Sequence, residues 1–226
     1  NSFGQLTQVI NPDQTHVDYS YIARGNTITD ALGFSTTKKV NAVGWLEESI
    51  DQKNQSIKYE YFADGQVKRT YLNNITGSDI LNEYDPINGS QTKTIDPDAG
   101  TIEYAYNPFG ELIWQKQVQS DTKTIEYKFG YDILGRKISQ ANADEGTTNW
   151  VYDTKTKGKG LVSKVSNSIT NHSLEYTYDD YSRVKTGAET IDGITYISET
   201  HYDVYGRTKQ FDYPYVYGTE IVFSIS

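Results

Sequence analysis

The 226 residues include no cysteine and no methionine. Lack of cysteine excludes disulfides, thiolate metal sites and a cysteine nucleophile. It leaves the compartment open, because exported bacterial proteins often manage without disulfides while small animal secreted domains seldom do. Hydrophobic residues make up only 36% of the chain, below the usual globular share. No apolar run approaches the roughly 18–20 residues of a membrane span, and no signal peptide opens the sequence. Positive charge is in the minority, with 21 Lys and Arg against 30 Asp and Glu and a net charge of −9. That argues against nucleic acid as a partner, since phosphate binding needs a basic patch. It weakly disfavours anionic membrane surfaces and favours solubility. Asn1 is not a natural start, and both ends fall inside a repeat pattern. The chain therefore reads as a fragment of a longer protein, so missing targeting signals say nothing of the parent.

Catalytic and ligand-binding constellations are also missing. His16, His172 and His201 form no HxxxH or HxH pair, so a metal site would need long-range convergence. Asp96-Pro97-Asp98-Ala99-Gly100 lacks the later acidic ligands of a calcium loop and reads as a plain turn. Glu47-Glu48, Asp144-Glu145 and Asp179-Asp180 sit beside turns or on alternating strands, without the fixed separation a glycosidase requires. No Gly-x-Ser-x-Gly elbow occurs. Gly158-Lys159-Gly160 precedes a strand and not a helix, which argues against a phosphate loop. Catalytic, metal and cofactor-binding residues are accordingly none, and no enzyme or cofactor is expected.

What the chain does have is tyrosine, 20 of them, against 7 Phe and 3 Trp. Tyr offers a large apolar face and a hydroxyl that can stay wet. In Ile125, Tyr127, Phe129 and Tyr131 the apolar residues fall at every second position, the period of a strand. Asp132 opens a turn by accepting backbone N–H two residues on. Gly135 closes it at a place that needs positive φ, as in a hairpin with a G1 bulge. The unit recurs at Tyr21/Gly25, Tyr61/Gly65, Tyr106/Gly110 and Tyr202/Gly206, with the turn of the second of these read at Asp64-Gly65. Tyr178 has Ser182 in the glycine place, Val40/Gly44 is degenerate, and longer turns run from Tyr84 to Gly89 and Tyr152 to Gly160. A tail copy opens the chain at Phe3-Gly4. Turn residues at 4, 25, 44, 65, 89, 110, 135, 160, 182 and 206 give a period of roughly 22 residues, the signature of a repeat architecture.

These residues carry a resemblance. Tyr-x-Tyr-Asp-x-x-Gly-Arg resembles the YD repeat of the Rhs/YD-repeat family, which includes toxin-complex, Rhs and teneurin-like proteins. Tyr131-Asp132 with Gly135-Arg136, Tyr178-Asp179 with Arg183, and Tyr202-Asp203 with Gly206-Arg207 carry it most fully. Tyr152-Asp153 with the Lys/Gly-rich turn to Gly160 is similar to a variant of toxin-complex proteins. The resemblance covers essentially the whole chain. Lys137 and Thr208 replace the usual apolar residue two after the glycine, and the first three copies lack the Tyr-Asp pair.

The fold expected is all-β, a curved strip of consecutive antiparallel hairpins in one array of about ten repeats over 1–226, truncated at both ends. Sheets of so many strands twist, so the strip should coil. The strands should pair in chain order, with turns near 64, 109, 134, 181 and 205 on one edge. Residues 220–226 read as an unpaired strand, and the turn at 155–160 as the loosest place. Tyr61, Tyr106, Tyr131, Tyr152, Tyr178 and Tyr202 are read as a packing ladder of rings on neighbouring hairpins. Arg136, Arg183 and Arg207 are read as braces on neighbouring turns, through Asp or a Tyr face.

What the resemblance implies is a spiral wall around a hollow shell. In toxin-complex and Rhs relatives that shell encloses a C-terminal toxic domain; in teneurins it belongs to a cell-surface receptor. The expected function is a non-catalytic shell segment of a secreted or cell-surface bacterial protein. Its partners would be the rest of the parent chain, with further YD repeats and the enclosed domain, and another toxin-complex subunit. An extracellular adhesin or carbohydrate-binding module using the aromatic rows is the alternative, with glycans as partners. The Asp-Pro-x-Gly-Leu cleavage motif of the family is not matched at Asp85-Pro86 or Asp96-Pro97, where glycine arrives one residue late and no leucine follows.

Overall fold

The structure, a computed structural model, describes residues 1–120, 122–214 and 222–224. Among these the chain forms twenty strands and no helix. They are β1 (Gln8–Ile10), β2 (His16–Ile22), β3 (Gly25–Thr29), β4 (Ser35–Val40), β5 (Leu46–Ile50), β6 (Ser56–Tyr61), β7 (Val67–Leu72), β8 (Ile80–Tyr84), β9 (Gln91–Asp96) and β10 (Gly100–Tyr106). There follow β11 (Leu112–Ser120), β12 (Lys123–Tyr131), β13 (Lys137–Asn142), β14 (Gly146–Tyr152), β15 (Val162–Asn167), β16 (Ser173–Tyr178), β17 (Val184–Ile191), β18 (Ile194–Tyr202), β19 (Thr208–Asp212) and β20 (Val222–Ser224).

The chain divides into two compact units, one of residues 1–104 and 117–124, the other of 105–116 and 125–226. In the first, β1 to β10 pair in chain order, each antiparallel to the next. In the second, β12 to β20 do the same. Consecutive hairpins put alternate turns on opposite sheet edges. Turns 41–45, 62–66 and 85–90 share an edge in the first unit, and 107–111, 132–136, 153–161, 179–183 and 203–207 share one in the second. These are the repeat turns read from the sequence.

Neither unit has a layered core. Among the described residues no hydrophobic side chain is buried, and only Ser56 and Ser163 are. Cohesion therefore rests on the ladder hydrogen bonds, half-buried rings and cross-strand pairs. In the first unit one such series runs Lys39–Glu48 at 2.8 Å and Glu60–Arg69–Asp79 at 3.1 and 2.9 Å.

Two expectations need correction. The end of the chain is not unpaired, because Val222–Ser224 lies against β19 with Phe211 opposite Phe223; 220, 221, 225 and 226 lie outside the described residues. The Lys/Gly-rich turn, expected to be loose, is closed from several sides. Gly158 N–H donates to Lys155 O and Leu161 N–H to Gly158 O. Thr154 N–H donates to the hydroxyl of the fully buried Ser163, and Lys155 pairs with Glu175 at 3.0 Å. Composition suggested nothing to pack, but the backbone bonds are made locally.

Candidate functional site: the tyrosine–aspartate turns

The repeat residues act at the sheet edge. Most motif turns begin with Asp or Asn, whose side-chain oxygen accepts two backbone N–H groups. Asp132 accepts from Leu134 at 2.9 Å and Arg136 at 3.0 Å, while Gly135 N–H donates to Asp132 O. Asp179 and Asp203 repeat the pattern with Tyr181 and Arg183, and with Tyr205 and Arg207. The fourth residue of these five-residue turns lies at positive φ, +75° at Gly135, +80° at Gly110 and +83° at Gly206. Ser182 holds +61° where the glycine of the other copies is missing.

The turn read at Asp64-Gly65 spans 62–66. Phe62 opens it, with Phe62 N–H donating to Gln66 O and Gly65 N–H to Phe62 O. Phe has no side-chain acceptor, so Asp64, the third turn residue, caps Gln66 N–H instead. Gly65 holds the expected positive φ, +92°, but backbone conformation is only half of its role. The Trp45 ring packs on its Cα side, and an added Cβ would lie 2.9 Å from that ring. Glycine there also makes room for an aromatic of the neighbouring turn, a close approach that Tyr-x-x-x-Gly spacing does not reveal.

Where most of the motif turns begin, the register shifts at the residue that closes the preceding strand. Tyr61, Tyr84, Tyr131, Tyr152, Tyr178 and Tyr202 all sit at such a shift. A bulge re-aims the side chain, and here every one of these hydroxyls donates to the first residue of the strand before. Tyr61 reaches Leu46 O at 2.6 Å, Tyr84 Val67 O at 3.0 Å, Tyr131 Leu112 O at 2.9 Å, Tyr152 Lys137 O at 2.9 Å and Tyr202 Val184 O at 2.9 Å. Tyr178 reaches Val162 O in the same way. Tyr106 closes β10, directly before the turn that holds Gly110. Burial pushes the phenols of Tyr61, Tyr84, Tyr131 and Tyr178 above the usual range.

The ladder of stacked rings is not what holds the motif tyrosines of the second unit. Trp45–Tyr61 and Phe62–Tyr84 pair across hairpins in the first unit, at 5.3 and 5.9 Å between centroids. In the second unit a cation covers the rings of Tyr152 and Tyr202 instead, as one does Trp150. Arg136 lies 4.3 Å from the Tyr152 ring, Arg183 4.0 Å from Tyr202, and Lys137 4.4 Å from Trp150. The difference lies in what the preceding turn presents to the ring, an aromatic side chain at Trp45 and Phe62 but a guanidinium at Arg136 and Arg183.

Arg136 and Arg183 reach the next turn, at Asp153 and Tyr152 and at Tyr202, whereas the contacts of Arg207 among the described residues stay within its own turn; all three first hold the Asp of their own turn. Arg136 Nε donates to Asp132 at 2.7 Å, and its Nη2 bridges Asp132 at 2.7 Å and Asp153 at 2.8 Å. Arg183 holds Asp179 from Nε and Nη2, and Arg207 holds Asp203 at 2.7 Å. Burial tends to raise Asp132, but the donors on it outweigh that and lower its pKa. The Arg183 side chain lowers Asp179, the Arg207 N–H lowers Asp203, and Arg136 lowers Asp153. Asp153 and Asp132 in turn raise Arg136 further above its usual value.

Sequence reasoning overlooked turn openers that lack a preceding Tyr-Asp pair. Asn1, Asn41 and Asn107 accept backbone N–H as Asp132 does, and Asp51 does so on the opposite edge. The signal was available as Asp or Asn three residues before Gly or Asn. Tyr131, Asp132 and Gly135 line one open cleft with Asn107, Phe109 and Glu111 of the adjacent turn. His16, His172 and His201 each face one carboxylate, at 3.3, 2.7 and 2.7 Å.

No family model and no curated protein matches the chain. Among solved structures its fold recurs in the chains of Tc toxins. In the Photorhabdus luminescens Tc holotoxin pore the match has a TM-score of 0.64 at 14% identity, over 92% of this chain. Crystal structures of TcdB2-TccC3, and of TcdB2-TccC3 without its hypervariable C-terminal region, also give 0.64, at 15% and 13% identity over 97% and 98% of this chain. At these identities the likeness is one of fold. The chain spans only 14–16% of the length of those chains. The resemblance read from the repeats pointed to toxin-complex proteins, and the shared fold is found there.

Proposed function

We propose that residues 1–226 are one array of YD repeats forming a non-catalytic wall segment of a β-shell, which encloses or scaffolds a C-terminal, toxic domain in a secreted or surface-delivered bacterial protein. The carrying observation is where the motif side chains go. Tyr61, Tyr84, Tyr131, Tyr152, Tyr178 and Tyr202 spend their hydroxyls on the preceding strand. Arg136 spends its guanidinium on two successive turns. Side chains used to join hairpins are scaffold parts; a ligand site would leave them free and convergent. The fold likeness to Tc toxin chains supports the same reading. Partners are then the rest of the parent chain and other toxin-complex subunits.

The test is protease protection in the parent protein. The segment following the repeats should resist added protease while the shell is folded and be digested once it is denatured. Equal digestion in both states would refute enclosure. A second reading, an adhesin, draws on Tyr181 and Tyr205, which are 80% and 81% exposed at turn tips. Glycan-array binding that disappears when both are replaced by Ala would favour it.

A further inference from the structure

Successive turns on one edge leave a cleft between them, and its contents differ from pair to pair. Between turns 132–136 and 153–161 the space is filled from within. Arg136, the fifth turn residue, lies over the Tyr152 ring at 4.3 Å and meets Asp153 at 2.8 Å. Between turns 62–66 and 85–90, Tyr84-Asp85 takes the place of Tyr152-Asp153, but the fifth turn residue is Gln66. Gln66 carries no charge, and its amide donates to Gly89 O at 2.7 Å. A cleft of about 460 Å³ remains, lined by Phe62, Asp64, Gln66, Tyr84, Asp85 and Ile87 among others, with no lysine or arginine in its wall.

Both carboxylates lack a cation. Asp64 accepts Gln66 N–H, and Asp85 accepts Ile87 and Asn88 N–H through one oxygen. Neither forms an ion pair among the described residues. Phe62 meets Tyr84 edge-on at 5.9 Å, giving the cleft an aromatic wall. Its size falls within the range of small-ligand pockets. The occupant that fits is the one the chain supplies to the sister cleft. A planar guanidinium on a hydrocarbon stem stacks on a tyrosine and donates to a carboxylate. The net charge of −9 favours approach of a basic partner.

We propose that the cleft between turns 62–66 and 85–90 receives an arginine side chain of a basic partner protein, its guanidinium over Tyr84 and facing Asp85. The probe is N-acetyl-arginine amide, titrated into the 226-residue chain while the ring resonances of Phe62 and Tyr84 are followed by NMR. The neutral isostere N-acetyl-citrulline amide is the control. Arginine amide should shift both rings, and citrulline amide should bind roughly tenfold more weakly. Asp85→Asn should cause a similar loss without unfolding the turn, because Asn41 and Asn107 open equivalent turns. Gln66→Arg should fill the cleft from within, abolish binding and raise the melting temperature. No shift at saturating arginine amide, equal binding of citrulline amide, or unchanged binding in Gln66→Arg would each overturn the proposal.

Discussion

Replacing Tyr131 by Phe removes one hydroxyl and keeps the ring. That hydroxyl donates to Leu112 O at 2.9 Å. A neutral hydrogen bond of this kind contributes about 0.5–1.5 kcal/mol net. The site is half-buried, so water can reach the carbonyl left behind, and about 1 kcal/mol is expected. In a chain of this length that lowers the melting temperature by about 2–4 °C. Tyr202→Phe removes the equivalent bond to Val184 O. The two tyrosines close β12 and β18, six strands apart or roughly 29 Å at about 4.8 Å per strand. That exceeds coupling range, so the double variant should lose the sum, about 2 kcal/mol. Tyr181→Phe is the control, since Tyr181 is 80% exposed and should change stability by less than about 0.5 kcal/mol. The assay is thermal melting by circular dichroism with urea unfolding beside it. Unchanged melting in Tyr131→Phe and Tyr202→Phe would refute the claim that the hydroxyls join hairpins.

Turn geometry gives a second pair of outcomes. Gly135→Val should destabilise, because φ is +75° and an added Cβ would sit 3.0 Å from the Glu111 carboxylate. Ser182→Gly should stabilise by up to about 1 kcal/mol in the melt, by relieving a non-glycine residue at φ +61°. With pH, the lowered pKa values of Asp132, Asp153, Asp179 and Asp203 mean that their contribution is fully present above the ordinary carboxylate range. It is lost as pH falls through the lowered folded values. The raised phenols of Tyr61, Tyr84, Tyr131 and Tyr178 act in the opposite sense. Their contribution is present below about pH 10 and lost above it. Melting temperature should therefore fall in acid, below the ordinary carboxylate range, and again above about pH 10. The purified chain should keep one intact mass on long incubation; protease-free products split at Asp85-Pro86 or Asp96-Pro97 would show self-cleavage.

The spacing of Tyr and Gly was enough to place the hairpins, because turn residues carry local backbone demands that a sequence shows directly. Gly44 and Gly89, from a degenerate and a lengthened copy, lie at positive φ like Gly135. The side-chain roles were less legible. Tyr131 and Tyr152 read as packed rings, and their hydroxyl bonds to the preceding strand follow from the bulge at the strand end, which spacing does not show. Gly65 was read for its φ alone, whereas the Trp45 ring against it comes from a turn about twenty positions earlier. Arg136 links Asp132 to Asp153, a contact likewise set by pairing register and not by local pattern. The turns of Val40/Gly44 and Tyr106/Gly110 are legible, but their openers Asn41 and Asn107 do not match Tyr-Asp, whereas the turn needs only a side-chain oxygen at its first residue. The tight closure of 153–161 depends on Ser163, whose burial composition does not reveal.

The most direct measurement of whether the motif joins repeats is a double-mutant cycle on Arg136 and Asp153, which meet at 2.8 Å across two turns. Arg136→Gln, Asp153→Asn and the double variant are melted beside the parent. Asn keeps the oxygen that accepts Gly160 N–H, so turn 153–161 should persist. If the guanidinium ties one repeat to the next, the double variant loses less stability than the two single losses added together. Strict additivity would mean that the Arg136–Asp153 pair does not tie one turn to the next, and would contradict the account.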